Sequence, residues 1–193
     1  LIVLLIAPIF IFIFAPGFYF DDFKKDLAVD ILRIMFPYLA LISLVAFSSG
    51  IQNSHDRFSL PAFTPLIFNI SLIIAAVYLA PKFSIPVFAL AWGVLAAGFM
   101  QLVIHIIALK KINRLPRPTL YWSHPGLKKF ITLVFPAILA GGIVQINLLI
   151  DTIFASLLQT GSPTWLYVSD RLIQFPMGLF AIAIGTVLLP TLS

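Results

Sequence analysis

Long apolar runs, interrupted by short polar stretches, constrain this chain more than any other feature of its sequence. Six runs stand out, at 1–15, 31–51, 62–80, 85–109, 130–157 and 164–192. A helix needs about 20 mainly apolar residues to cross the hydrocarbon of a bilayer. Only 10% of the residues are charged and 61% are hydrophobic, whereas a soluble domain carries about 25% charged residues. So few charges cannot clothe a soluble fold of this size in water. The expected fold is all-α: a polytopic membrane helical bundle of six spans. The fifth and sixth runs exceed the minimum length, which permits tilt or kinking. Pro8, Pro37, Pro136 and Pro176 lie inside runs, and each removes a backbone donor and favours a kink. The first run lacks the basic flank and small-residue cleavage site of a signal peptide. The chain opens inside one run without Met and closes just after another, and so reads as an internal fragment.

The polar stretches set an orientation. The loop 110–129 holds Lys110, Lys111, Arg114, Arg117, Lys128 and Lys129 with no acid, which the positive-inside bias places in the cytoplasm. Counting spans from there puts 52–61 inside, and 16–30, 81–84 and 158–163 outside. The formal net charge of +5 belongs to these loops and forms no continuous basic face, so nucleic acid is not an expected partner. The same basic loop contains Pro116, Pro118 and Pro125. It reads as a linker at 110–127 between helices of one lobe, 1–109, and the start of another, 128–193. There is no cysteine, so no disulfide.

Ionisable residues inside membrane helices are costly and point to function. Three are central here: Asp151, Asp170 and Arg171. The turn of the last hairpin centres near Gly161, with Asp151 ten residues before it and Arg171 ten after. On antiparallel helices equal offsets mean equal depth, so the two sit at one level in the outer half of the bilayer. Arg171 shares a face with Tyr167, Gln174 and Phe175. One reading is a structural ion pair of Asp151 with Arg171. The other is that Arg171 lines a water-filled cavity and binds an anionic substrate, since a guanidinium fork suits phosphate. Asp151 could also hold a small cation with Asn147, one turn earlier on the same face; two such ligands do not specify a metal.

The remaining polar residues read as structural. Asp30 and Arg33 suit a helix-terminal pair, Asp56 and Arg57 a tight inward loop, and His105 a satisfied polar residue. Asn69, Gln101, Gln145 and Asn147 can bond between helices. Gly141 and Gly142 permit close approach or bending. No Glu, no His-Glu metal motif, no Ser/His/Asp arrangement and no phosphate loop occurs in the sequence, which argues against an enzyme and against a resident cofactor.

Several segments carry a resemblance to a known family. They are Arg33-Ile-Met-Phe-Pro-Tyr38, Gly50-Ile-Gln-Asn53, and Arg57-Phe-Ser-Leu-Pro-Ala-Phe-Thr-Pro65 with Asn69. Asp151-Thr-Ile-Phe-Ala-Ser156, Tyr167-Val-Ser-Asp-Arg-Leu-Ile-Gln-Phe-Pro176 and Gly185-Thr-Val-Leu-Leu-Pro190 complete the set. Together they resemble the MurJ (MviN) lipid II flippase family, and the Tyr167–Pro176 segment is the most specific. The resemblance implies a two-lobe exporter fold, of which this chain would supply the third to eighth spans. It implies a transporter, not an enzyme, working in the bacterial cytoplasmic (inner) membrane. The substrate would be lipid II, the undecaprenyl-pyrophosphate-linked peptidoglycan precursor, moved to the outer leaflet by alternating access around a cationic cavity. Arg171 matches the cavity arginine of the eighth span, Asp170 is its acidic neighbour, and Gln174 lies on the arginine's face. Asp151 matches a seventh-span position that is acidic in some members, where it looks like part of a sodium site, which leaves Na+ coupling open. Beyond lipid II, the partners implied are membrane lipids, and a monomer suffices. The competing classes are a related exporter of other polyprenyl-linked glycans or drugs, a membrane enzyme of lipid-carrier metabolism, and a non-transporting scaffold.

Overall fold

The computed structural model describes residues 6–116, 125–174 and 176, and among these the regular structure is helical throughout. The first run supplies α1, Ala7–Phe14, followed by a 3-10 turn at Pro16–Phe20. Next come α2 at Asp22–Met35, α3 at Pro37–Asn53 and α4 at Ser59–Ile74. Helix α4 runs on through a π-helical segment, Ala75–Leu79, and a 3-10 turn, Ala80–Lys82. Helix α5 spans Val87–Lys111 and α6 spans Pro125–Leu157. A further helix, α7, covers 162–174.

Four stretches are long and apolar enough to cross a membrane: Asp22–Asn53, Ser59–Lys82, Val87–Lys111 and Lys129–Leu157. They correspond to the second to fifth runs of the sequence. The first and sixth are described only in part, as α1 and α7; residues 177–192 of the sixth, and 117–124 of the basic loop with Pro118 and His124, lie outside the described residues. Large apolar side chains face outward on all four stretches, among them Phe47, Tyr78, Val103 and Leu133. That is the surface a lipid solvent requires.

One expectation is corrected. Residues 22–30 were expected in an outward loop, yet they form most of α2. Their charges disguise a helix. Asp21 caps it, its Oδ1 accepting the Lys24 amide at 3.2 Å, as a short acidic side chain does at an N-cap. Lys25 then pairs with Asp22 at 2.7 Å and Arg33 with Asp30 at 3.4 Å, each three residues apart. The Asp30–Arg33 pair is therefore helix-terminal as expected, but at the C-terminal end of α2 and not at the start of a span. Between α2 and α3 only Phe36 departs from helix. Pro37 has no N–H to return to Arg33, and the Leu39 amide turns to the Phe36 carbonyl at 3.1 Å instead, the break expected at an internal proline.

The chain divides into two compact units, Leu1–Pro8 with Asp26–Leu127, and Ile9–Lys25 with Lys128–Ser193. In the first, α3 and α4 both pack along α5 and touch each other little. Small residues make this possible. Helix α5 buries Ala89, Ala91, Gly93, Ala97 and Gly98, and small side chains let membrane helices approach closely. A Cβ on Gly93 would come within 2.6 Å of the Ala75 Cβ, and one on Gly98 within 2.7 Å of the Tyr38 ring.

Helices α3 and α5 end in the same way. Asp56, at φ 56°, and Asn113, at φ 54°, adopt the left-handed conformation. The Arg57 amide bonds to the Gln52 carbonyl at 2.9 Å and the Asp56 amide to Asn53 at 3.2 Å. The Arg114 amide bonds to Leu109 at 3.0 Å and the Asn113 amide to Lys110 at 3.1 Å. Both are Schellman closures, with Asp or Asn standing where glycine is commonest.

In the second unit the hairpin between α6 and α7 turns at Gly161, φ +104°, where the sequence put it. Gly17 donates its amide to Ser156 Oγ at 3.1 Å, and any Cβ there would collide with the Ser156 carbonyl. Lys24 donates to Thr160 Oγ1 at 2.9 Å. These contacts tie the 3-10 turn to the end of α6.

Candidate functional site

All five residues singled out for substrate or ion binding fall in the second unit. Arg171 lies near the end of described α7. Its guanidinium sits over the Tyr167 ring, 5.1 Å from the centroid, within the range of a cation–π contact. One Nη1–H donates to Gln174 Oε1 at 3.5 Å, the limit of a hydrogen bond. The spacings of four and three thus deliver the contacts they suggested. Phe175, the fourth member of that face, lies outside the described residues.

Asn147 and Asp151 are one turn apart on α6, and both are exposed. Asp170 is half-buried. Among the described residues, no ion pair joins Asp151 or Asp170 to Arg171. The ion pairs present are Lys24–Asp21, Lys25–Asp22 and Arg33–Asp30. The guanidinium is held from one side by a ring and an amide, both neutral. A guanidinium carries five donors, and this geometry leaves most of them for an incoming acceptor.

A second polar constellation lies in the first unit, and the sequence revealed only half of it. His105 is fully buried. Its Nδ1 accepts from Gln52 Nε2 at 2.7 Å. The proton therefore resides on Nε2, which donates to Thr64 Oγ1 at 2.9 Å. That hydroxyl donates onward to the Leu60 carbonyl at 3.0 Å. Gln101 Nε2 donates to the Thr64 carbonyl at 2.9 Å. Its Oε1 is buried and, among the described residues, has no partner. The network joins α3, α4 and α5. His105 is the satisfied polar residue it was expected to be, and Gln101 does bond between helices. Gln52 and Thr64 were missed. The available signal was Gln101 and His105 four apart on an otherwise apolar helix, a pattern that demands polar partners at matching depth on its neighbours.

Known proteins supply the comparison. The family described as "Lipid II flippase MurJ" matches residues 1–193. The "Lipid II flippase MurJ" of Burkholderia cenocepacia is 41% identical over 187 residues, covering 95% of this chain and 36% of that protein. The "Probable lipid II flippase MurJ" of Vibrio cholerae is 46% identical over 170 residues, covering 88% of this chain and 32% of its own length. That of Haemophilus influenzae is 43% identical over 173 residues, with 90% and 34% covered. The chain thus spans about a third of the length of the curated relatives it matches. The match over the full chain, the identities to those relatives and four helices able to cross a bilayer agree: this membrane chain belongs to the lipid II flippase MurJ family.

Proposed function

We propose that this chain is the part of a lipid II flippase that presents Arg171 to the pyrophosphate of the substrate, in the bacterial cytoplasmic membrane. The observation that carries this reading is the guanidinium seated on Tyr167 and Gln174 with no carboxylate partner among the described residues. A charged head has to shed water to enter a membrane protein, and the cost of a charge in hydrocarbon is several kcal/mol or more (about +2.5 to +3.5 on insertion scales). Charge-assisted, bidentate hydrogen bonds from an arginine replace that water. Tyr167 and Gln174 fix the plane of the fork without neutralising it. The half-buried Asp170 adds a negative charge beside the arginine that repels a phosphate straying from it.

In this scheme 1–109 belongs to one lobe, 110–127 links the lobes, and 128–193 begins the other. Rocking of the lobes exposes the headgroup to each side in turn while the lipid tail stays in the bilayer. Asp151 with Asn147 supplies part of a Na+ site that can couple to this motion, and the membrane potential can add about 2.3 kcal/mol per charge per 100 mV. The unit that works is a monomer.

Complementation in cells depleted of their own flippase tests the reading, using the full-length protein with Arg171→Lys or Arg171→Ala. Both variants are expected to reach the membrane at normal abundance, and neither to support growth, because lysine lacks the planar fork. Growth with lysine alone reduces the requirement to a positive charge. Growth of the alanine variant at the wild-type rate defeats the proposal.

A further inference from the structure

A cavity of about 440 Å³ opens in the first unit where α3 ends, α4 begins and α5 ends. Two cations line it, Arg57 and Lys111. Among the described residues neither takes part in an ion pair. Ser59 and Leu60, the first residues of α4, line it as well. The N-cap position, Phe58, offers no side-chain acceptor to that helix, so its first amides and its positive dipole end are available to an anion. The carbonyl ends of α3 and α5, which would repel an anion, are closed by the bonds to the Arg57 and Arg114 amides.

Gln52 gives the cavity a second kind of contact. It is 2% exposed and lines the cavity. Its Nε2 is taken by His105, and its Oε1 accepts no hydrogen bond among the described residues. An amide oxygen there suits a hydroxyl donor. Asp56 also lines the cavity and opposes an anion, although its left-handed backbone accounts for its identity independently of charge.

We infer that this cavity is a binding site for a phosphate ester carrying a hydroxyl group. Arg57, Lys111 and the first turn of α4 hold the phosphate, and Gln52 receives the hydroxyl. The chemistry is shared by a glycerophospholipid headgroup and by a soluble phosphate ester. The site is separate from Arg171, which lies in the other unit, and it stands whether or not Arg171 contacts substrate.

The test uses the full-length protein in phosphatidylcholine nanodiscs, with binding read by microscale thermophoresis. The probes are dihexanoyl-phosphatidylglycerol, dihexanoyl-phosphatidylcholine and glycerol 3-phosphate. An anionic probe is expected to bind saturably and to weaken at least about tenfold when Arg57→Gln and Lys111→Gln are combined. Asp56→Asn is expected to tighten it about two- to fivefold, because a like charge is removed. Saturation by the phosphatidylglycerol alone identifies a lipid headgroup, and saturation by glycerol 3-phosphate a soluble ester. Failure of both to bind the wild type, or binding unchanged in the double variant, overturns the proposal. Should the double variant not fold, Asp56→Asn decides, since asparagine keeps the left-handed turn; affinity no tighter than wild type then refutes the site.

Discussion

Thr64 carries more of the first unit than its size suggests. Its hydroxyl receives the His105 proton and passes its own to Leu60, while its carbonyl receives Gln101. Thr64→Val keeps the shape and removes the hydroxyl. The buried His105 Nε2–H is then left without an acceptor, at a cost of about 1–3 kcal/mol. Denaturant unfolding of the reconstituted protein should register that loss, whereas Thr64→Ser should stay near wild type. Gln101 makes a contrasting case. Its unpartnered Oε1 is already a cost in the native protein, so Gln101→Leu should destabilise by less than Thr64→Val. At this scale the sequence was legible only where spacing along one helix sufficed. Arg171, Tyr167 and Gln174 share a helix, and their contacts followed from counting. Gln52 and Thr64 belong to other helices than His105, and nothing in a single chain's periodicity states which faces meet.

Among the elements, α5 sets the tolerances. Gly93 faces the Ala75 Cβ, which is fixed to backbone, while Gly98 faces the Tyr38 ring, which can swing. Gly93→Ala should therefore cost about 1–3 kcal/mol, as overpacking does, and more than Gly98→Ala; thermal melting of the two variants measures the difference. The helix ends give a second test. Asp56→Gly should be neutral or stabilising, whereas Asp56→Val should cost about 1–2 kcal/mol for a β-branched residue at positive φ. At the start of α2, the Lys24 amide and then its ammonium hold the Asp21 carboxyl below its ordinary value. A lowered folded value means that this cap contributes above the unfolded pKa of about 3.9 and is lost as pH falls through the folded one. The protection of the Lys24 amide, taken relative to its intrinsic exchange rate, should fall as pH drops below about 4, and Asp21→Ala should lower it at neutral pH. The same cap shows why residues 22–30 were read as a loop: their charges were counted, but the three-residue spacing of Asp21 with Lys24 and Asp22 with Lys25, which supports a helix, was not.

For the molecule as a whole, hydropathy marked out four stretches that the described residues show as helices long and apolar enough to cross a membrane, because length and apolarity are properties of sequence alone. The orientation expected from charge in the loops places 52–61 inside and 158–163 outside. It is open to direct measurement, since the chain contains no cysteine and single ones report cleanly in a cysteine-free background. Ser54→Cys should react with an impermeant maleimide only from the cytoplasmic side, and Gln159→Cys only from the outer side. The opposite pattern would invert the expected topology. The proposed substrate was not legible from apolar runs in any way; it rests on residues that resemble those of a known family, foremost the Tyr167–Pro176 segment.

The π-helical segment at Ala75–Leu79 has a genetic meaning. A π-turn accommodates one residue more than an α-turn over the same length, so it is a place where the chain can lose a single codon without losing the helix. Deleting one residue from this segment should restore an α-helical path and leave Ser59–Ile74 seated on α5. The same deletion made earlier in α4 would rotate every following side chain by about 100° and carry Thr64 away from His105. Indels in this helix should therefore be tolerated at one end and selected against at the other.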